Sequence, residues 1–95
     1  MATMNCLLQQ HELKIWPEFF QPVLSGEKSF EIRENDRGYK VGDRLWLREW
    51  EGQTNGYSGQ SCKVDVTYIL TGLGLLPGWV ALGIKLVQVV DHGAE

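Results

Sequence analysis

Charged and aromatic residues that could bind or act on a ligand are crowded into one segment of this chain, from Gly26 to Trp50. Six of the nine Lys and Arg residues fall inside it, although the whole chain has a net charge of −3. In two short stretches these residues recur at every second position, which in a β-strand places their side chains on one face. A packed core does not need this arrangement, but it suits a surface that meets a charged or aromatic ligand.

The first stretch contains Lys28, Glu31 and Arg33. Glu31 and Arg33 are two residues apart, so their charged groups can converge on one strand face, and Lys28 can reach them from the rim. An acid flanked by two bases can position a polar ligand, and a lysine beside a glutamate can also transfer protons to and from a substrate. The alternative is a solvated salt-bridge ladder on an exposed strand face, which is common on protein surfaces.

The second stretch places Arg44, Trp46, Arg48 and Trp50 on one face of a strand. Interleaved guanidinium and aromatic groups suit single-stranded nucleic acid, because bases stack on rings and arginine meets phosphate or stacks on a base. The alternative is that the tryptophans pack beneath a helix while the arginines flank them, since tryptophan is usually mostly buried.

Two further sets of residues are candidates. Between the two stretches, Arg37 and Lys40 could bind phosphate, with Tyr39 as a stacking platform, or the loop could be a simple polar turn. His11 could act as a general base or a base-reading donor, although a lone histidine at the start of a strand is more often structural.

The composition narrows the classes of function. A chain of 95 residues makes one domain, and its acidic balance argues against extensive non-specific wrapping of nucleic acid. The spacing of Cys6, Cys62, His11 and His92 predicts no metal site. The sequence contains no phosphate-binding GxxxxGK[ST] loop, and we predict no cofactor. Two cysteines, read as reduced thiols, and the lack of a signal peptide or a long apolar run predict a cytoplasmic protein.

The elements that would position these residues are about five strands and one early helix. Alternation predicts strands over residues 11–16, 28–33, 43–50, 63–70 and 79–90, with a Gly-, Asn- and Ser-containing linker over 51–61 and a loop over 71–78. The helix begins at Pro17 and ends near Gly26, and the internal Pro22 predicts that it is short, irregular or begun late.

These elements predict a mainly β fold: a small, closed or nearly closed barrel, with an open two-layer α+β arrangement as the alternative. We expect a flexible segment over residues 1–9, a folded domain over 10–90 and a tail over 91–95. In the 71–78 loop, Leu73, Leu75 and Leu76 could plug a barrel end, form a lid or make a homodimer contact.

The segments LSGEKSFEIR and YKVGDRLWLREW, together with the later GYSGQSCKVDVTYIL, resemble the small ASCH-like domains of unknown function found in bacteria and phages. These domains belong to the PUA-like superfamily, and the resemblance extends from Gln10 to about Val90. It implies a β-barrel with a helix beside an RNA-binding cleft, and a cleft motif that appears here as Gly26, Lys28, Glu31 and Arg33.

Some ASCH relatives are amidohydrolases that act on acetylcytidine. The resemblance implies that their catalytic lysine corresponds to Lys28, whereas this chain has Glu31 where they have a threonine. Their later acidic residue has no clear counterpart here. Both departures weigh against the same chemistry in this chain.

Three functions therefore stay open from the sequence. The first is an RNA- or nucleotide-binding module in which Lys28 and Arg33 contact phosphate or a base edge, Glu31 orients them, and the second stretch extends the surface. The second is a small amidohydrolase acting on an acetylated nucleoside with Lys28 and Glu31 as a base and acid pair. The third is a protein-interaction domain without a nucleic-acid role.

Overall fold

The computed structural model describes residues 8–91, which form one helix and one five-stranded sheet. The elements in chain order are β1 (Gln10–Ile15), α1 (Pro17–Ser25), β2 (Phe30–Glu34), β3 (Arg44–Trp50), β4 (Tyr57–Thr71) and β5 (Trp79–Asp91). The strand order is β1-β3-β4-β5-β2; β1 pairs with β3 in parallel and all other pairs are antiparallel. The prediction of a mainly β fold with five strands and one early helix is confirmed.

The sheet curls into a half-barrel, so that its two edge strands, β1 and β2, approach each other. The pairing of β4 with β5 shifts register after Lys63 and again after Val66, and such irregularities bend strands. Side chains span the gap between the edges. Arg33 Nη2 donates to the carbonyl oxygen of Lys14 at 2.8 Å, and Arg37 donates to that of Glu12 at 3.1 Å.

The core fills the concave side of this sheet. Alternate residues of β1, β3, β4 and β5 point inward, and α1 adds Phe20 and Val23. Leu45, Leu47, Val64 and Leu82 are completely buried, as are further members of the same cluster. Truncating such a leucine to alanine costs about 2–5 kcal/mol, so this layer fixes which face of each strand turns inward.

The helix begins and ends where the sequence predicts. Pro17 occupies its first turn, where a missing N–H costs little, and Gly26 ends it at φ +86°, a conformation that favours glycine. Pro22 lies inside the helix, which has nine residues and is short, as expected, but does not begin late. The carbonyl oxygen of Pro22 accepts the backbone N–H of Lys28, which fixes the entry to β2.

Two predicted strand boundaries differ from the structure by more than one residue. The strand predicted from residue 63 begins at Tyr57, because the polar residues 57–62 have no apolar alternation but pair with both β3 and β5. The strand predicted from residue 28 begins at Phe30, since the Lys28 backbone is bonded to the helix. Strand β5 reaches Asp91, and the predicted ends over residues 1–7 and 92–95 lie outside the described residues, as do Cys6 and His92.

Candidate functional site

A cleft of about 570 Å³ opens between the edge strands β1 and β2. Its walls are largely aromatic or apolar and include Trp16, Phe19, Phe30, Ile32, Tyr39 and Trp79. The polar groups that reach it include Lys14, Lys28, Glu31, Arg33, Asp36 and Arg37. A concave site with apolar walls and a few convergent polar groups is typical of small-molecule binding sites.

Glu31 lies at the centre of the polar groups and is only 4% exposed. Its Oε2 accepts from Lys28 Nζ at 2.5 Å and its Oε1 accepts from Arg33 Nε at 3.0 Å. Lys28 Nζ also donates to the carbonyl oxygen of Phe30 at 2.7 Å. Each carboxylate oxygen therefore has its own cationic donor, an arrangement that a buried carboxylate requires. We call Lys28, Glu31 and Arg33 the Glu31 cluster.

The interpretation of this cluster as an exposed salt-bridge ladder was wrong. Glu31 pairs with the buried Leu82 of β5 and faces the same concave side, whereas Phe30 and Ile32 face outward and are nearly half exposed. Period-two alternation shows which side chains share a face, but it does not show which face is buried. In β2 the charged face turns inward, contrary to the usual pattern.

Arg33 reaches beyond the cluster to the opposite edge of the cleft. Its Nε binds Glu31 while its Nη2 binds the Lys14 carbonyl, so one guanidinium connects β2 with β1. These two contacts use two of its five N–H donors, and among residues 8–91 no other hydrogen bond of Arg33 takes up the remaining donors.

Tyr39, predicted as an exposed stacking platform, instead lies in the core and lines the cleft at 7% exposure. Burial raises the pKa of Tyr39, and the nearby Arg33 and Arg37 only partly oppose this effect. Its hydroxyl therefore keeps its proton at neutral pH and can donate a hydrogen bond. Arg37 also lines the cleft. Lys40 is exposed and does not line the cleft, and the backbone N–H of Lys40 donates to Asp43.

His11 is buried beside the cleft and not in it. Its Nε2 lies 2.9 Å from Asp43 Oδ2, and its ring meets that of Tyr39 edge-on at 4.9 Å. Burial alone would raise the pKa of Asp43, but hydrogen bonds from His11 and from the backbone N–H groups of Gln9 and Lys40 together lower it. This geometry favours the structural interpretation of His11, which ties β1 to the turn before β3.

The predicted stripe on β3 occupies the opposite, convex face of the sheet. Arg44, Trp46, Arg48 and Trp50 are all partly exposed, and the intervening residues are buried, so the prediction that they share a face is confirmed. They do not lie beneath the helix. Arg44 forms an ion pair with Asp65 at 2.8 Å, and Arg48 with Glu12 at 2.6 Å.

Cations and rings alternate across this convex face. The Arg48 guanidinium lies 3.8 Å from the centroid of the Tyr57 ring and 4.8 Å from that of Trp46, and Tyr57 meets Trp50 edge-on at 4.9 Å. Lysine ammonium groups lie near both ends. We call the whole set the stacked row; its members are Lys14, Trp46, Arg48, Trp50, Tyr57 and Lys63.

Sequence reasoning did not select several of the residues that line the cleft. Among them are Lys14, Trp16, Phe19, Phe30, Ile32, Asp36 and Trp79. These side chains belong to four different parts of the chain, and only the curling of the sheet brings them together. One local signal could have suggested the cleft wall: on β2 the apolar Phe30 and Ile32 alternate with the charged Glu31 and Arg33.

Cys62 lies on β4 in the core and is completely buried. Burial, with a smaller contribution from the charge of Glu31, raises the pKa of the Cys62 thiol to about 11. It is therefore an uncharged core residue at neutral pH. Within residues 8–91 no three His, Cys, Asp or Glu side chains lie close enough together to hold a metal ion.

Two of the three predicted leucines in the loop between β4 and β5 face solvent. Leu73 is 85% exposed and Leu76 is 68% exposed, so these two do not plug the barrel end, whereas Leu75 is partly buried. Whether they contact a second copy of the chain stays a prediction. Across the described part of the chain, no helix is long and apolar enough to cross a membrane.

Comparison with known proteins identifies relatives without a defined activity. The family model described as "Domain of unknown function (DUF3850)" matches residues 10–84. A protein of Escherichia phage P2, described as "Uncharacterized 12.9 kDa protein in GpA 3'region", is 41% identical over 58 residues. That match covers 60% of this chain and 53% of the phage protein, so the matched region spans about half the length of the relative.

Proposed function

This chain belongs to the DUF3850 family of domains of unknown function, and we propose that the cleft between β1 and β2 binds a nucleotide, either free or as part of RNA. The observation that carries the proposal is the Glu31 cluster. A buried carboxylate with two cationic donors lies at the polar centre of an aromatic-walled cleft.

The size and walls of the cleft suit a nucleobase. Its volume of about 570 Å³ falls within the usual range for small-ligand sites. Aromatic side chains can stack on any base, and each stacked base contributes roughly 1–3 kcal/mol to binding. Trp16 and Phe30 are 52% and 46% exposed, which makes them the rings of the cleft wall most open to a ligand.

The cationic groups of the cleft, which is also lined by Glu34 and Asp36, divide into two zones that match the two parts of a nucleotide. Glu31 is an acceptor for the exocyclic or ring N–H of a base, while Lys28 and Arg33 are donors to ring nitrogens and carbonyl oxygens. Lys14 and the exposed Arg37 lie at the rim and are donors for phosphate.

The resemblance to ASCH-like domains of the PUA-like superfamily is part of the same proposal. The LSGEKSFEIR segment supplies Gly26 at the helix end, Lys28 after it, and Glu31 with Arg33 on β2. Because the resemblance implies RNA binding in a cleft with these residues, it agrees with the ligand that the cleft chemistry favours.

A titration of isotope-labelled protein tests the proposal. The four ribonucleoside 5′-monophosphates are added separately, and amide NMR spectra are recorded. We expect saturable shifts in β2 and at Lys14 for at least one of them. The Arg33→Ala variant is expected to lose at least about 10-fold in affinity, because charge-assisted hydrogen bonds contribute about 1.5–3 kcal/mol.

The matched control is Lys85→Ala, which removes an exposed cation from β5 outside the cleft. We expect this variant to bind like the parent protein. Unchanged affinity in a folded Arg33→Ala variant would overturn the assignment of the cleft, as would the lack of a saturable shift with all four nucleotides.

A second candidate function is hydrolysis of an acylated nucleoside, favoured by the 2.5 Å contact between Lys28 Nζ and Glu31 Oε2. Glu31 would accept a proton from water as the water adds to the acyl carbonyl, and Lys28 would protonate the amine as the C–N bond breaks. The products would be a carboxylic acid and the free amine. Release of acetate from N-acetylated nucleosides, lost in Lys28→Ala but not in Lys85→Ala, would support this candidate over simple binding.

A further inference from the structure

We propose that the stacked row is a second binding surface, which takes the nucleotides that follow the one in the cleft, so that the ligand is single-stranded RNA. This inference rests on the proposed nucleotide cleft. Its own observation is the continuous alternation of cations and rings across the convex face.

The row begins at the cleft itself. The carbonyl oxygen of Lys14 accepts from Arg33 at the cleft edge, while its ammonium lies 4.0 Å from the centroid of the Trp50 ring on the convex side. One residue of β1 therefore belongs to both surfaces. A chain that leaves the cleft over β1 reaches Trp50 first.

From Trp50 the row continues along β3 and the adjacent strand β4 with no gap. Tyr57 contacts Trp50, Arg48 lies over Tyr57 and over Trp46, and the Lys63 ammonium lies 5.7 Å from the Trp46 ring centroid. From Trp50 to Trp46 the distance along β3 is four residues, or about 13 Å. That equals the rise of about four stacked nucleotides at roughly 3.4 Å each.

The surface has space for a base beside the central guanidinium. A hollow of about 250 Å³ is bounded by Trp46, Arg48 and Tyr57, and by residues 59–61 of β4. Glu12 holds Arg48 in place at 2.6 Å, so the guanidinium is already oriented as a platform between two rings. Bases stack on guanidinium planes as well as on aromatic faces.

The charges of the row favour a polyanion. Among residues 8–91, neither Lys14 nor Lys63 has an ion pair, and these two cations lie near opposite ends of the row. Arg44 is different, since Asp65 compensates its charge, and we exclude it from the proposed surface. Two free lysines predict only two phosphate contacts and therefore a weak dependence on salt.

Length dependence of binding tests the inference. Homo-oligoribonucleotides of one, two and four nucleotides, of each base, are titrated by calorimetry. We expect the tetramer to bind roughly 10-fold or more tightly than the monomer, because stacking adds affinity for each extra base. The Tyr57→Ala and Trp46→Ala variants are expected to lose this gain and to keep the monomer affinity.

Tyr68→Ala is the matched control, because Tyr68 is a 65% exposed ring elsewhere on β4. It is expected to keep the whole gain. Trp46 donates to Ser61 at 2.8 Å, so its loss can disturb folding. Lys63→Gln provides a variant with intact rings, and its log–log salt slope for the tetramer should fall by about 0.7, the value for one lost phosphate on a single strand.

The outcomes separate the two proposals. If monomers bind and the tetramer binds no more tightly, the stacked row is not a nucleic-acid surface, while the cleft proposal stands. If the tetramer binds, monomers do not, and the row variants abolish binding, the row stands and the cleft assignment fails. A length gain that survives Tyr57→Ala, Trp46→Ala and Lys63→Gln overturns the inference.

Discussion

The Glu31 cluster and the stacked row both combine cations, carboxylates and rings, and they lie on opposite faces of one sheet. The cluster has a buried charged group at its centre, whereas the charged groups of the row are solvated. In the cluster, two cations converge on a carboxylate that is 4% exposed. In the row, Arg48 lies on two rings, and its carboxylate partner, Glu12, is half exposed. The Glu31 cluster places a few polar groups inside an apolar cleft, whereas the stacked row forms a solvent-exposed surface for stacking.

Burial accounts for this difference. A carboxylate removed from water must be satisfied by fixed donors, so the cluster has one geometry and can select a ligand by the positions of its hydrogen-bonding atoms. A cation on a solvated ring keeps its hydration and accepts any base that stacks beside it. We therefore assign ligand selection to the cleft and extension of the contact to the row.

Removing the two carboxylates should show the largest contrast. Glu31→Gln leaves Lys28 and Arg33 without their counter-charge in a partly buried site, and we expect a loss of about 2–3 kcal/mol in the free energy of unfolding. Glu12→Gln breaks a pair of similar length on the convex face, and we expect a loss of less than about 1 kcal/mol. Urea denaturation of both variants and the parent measures the difference.

Equal losses in the two variants would remove the contrast between a buried and a solvated ion pair. Glu27→Gln is a suitable control, because Glu27 is exposed and forms no ion pair among the described residues. It is expected to unfold like the parent protein.

Ionisation of the Cys62 thiol at alkaline pH should cause the second-largest loss in the free energy of unfolding. The folded Cys62 thiol keeps its proton up to a pKa of about 11, whereas the ordinary value is 9.0. The folded protein is therefore fully stabilised below pH 9 and loses stability as pH rises from 9 to 11, because only the unfolded thiol ionises there. The expected loss is on the order of 2 kcal/mol.

Urea denaturation at several pH values between 7 and 11 measures this loss. Cys62→Ala should remove its contribution, and Glu31→Gln should reduce it, since the charge of Glu31 is one cause of the raised pKa. The raised pKa of Tyr39 also lowers stability as pH rises above the ordinary tyrosine value of 10.0, so the comparison with Cys62→Ala is essential. A profile that is identical in Cys62→Ala would contradict the raised pKa of the Cys62 thiol.

The sequence could predict the strands and the shared faces, because alternation in β1, β2 and β3 is a local property. It could not predict that the charged face of β2 turns inward, since that depends on pairing with Leu82 in a distant strand. The early residues of β4 were missed for the same reason. The cleft walls were largely missed because rings as distant in sequence as Trp16 and Trp79 meet only when the sheet curls.

Replacing one arginine by lysine in the Glu31 cluster and one in the stacked row should give the smallest difference in the free energy of unfolding. Arg33→Lys keeps a cation for Glu31 but cannot also reach the Lys14 carbonyl, so we expect a loss of about 1 kcal/mol from the missing hydrogen bond. Arg48→Lys keeps the pair with Glu12 and loses only guanidinium stacking, which contributes roughly 0.5 kcal/mol at an exposed site. Urea denaturation of both variants without ligand shows which of them loses more of the free energy of unfolding. A larger loss in Arg48→Lys would contradict the assignment of Arg33 as a stabilising link between the two edges of the half-barrel, and the cleft would then depend on packing and on the contact between Arg37 and the Glu12 carbonyl.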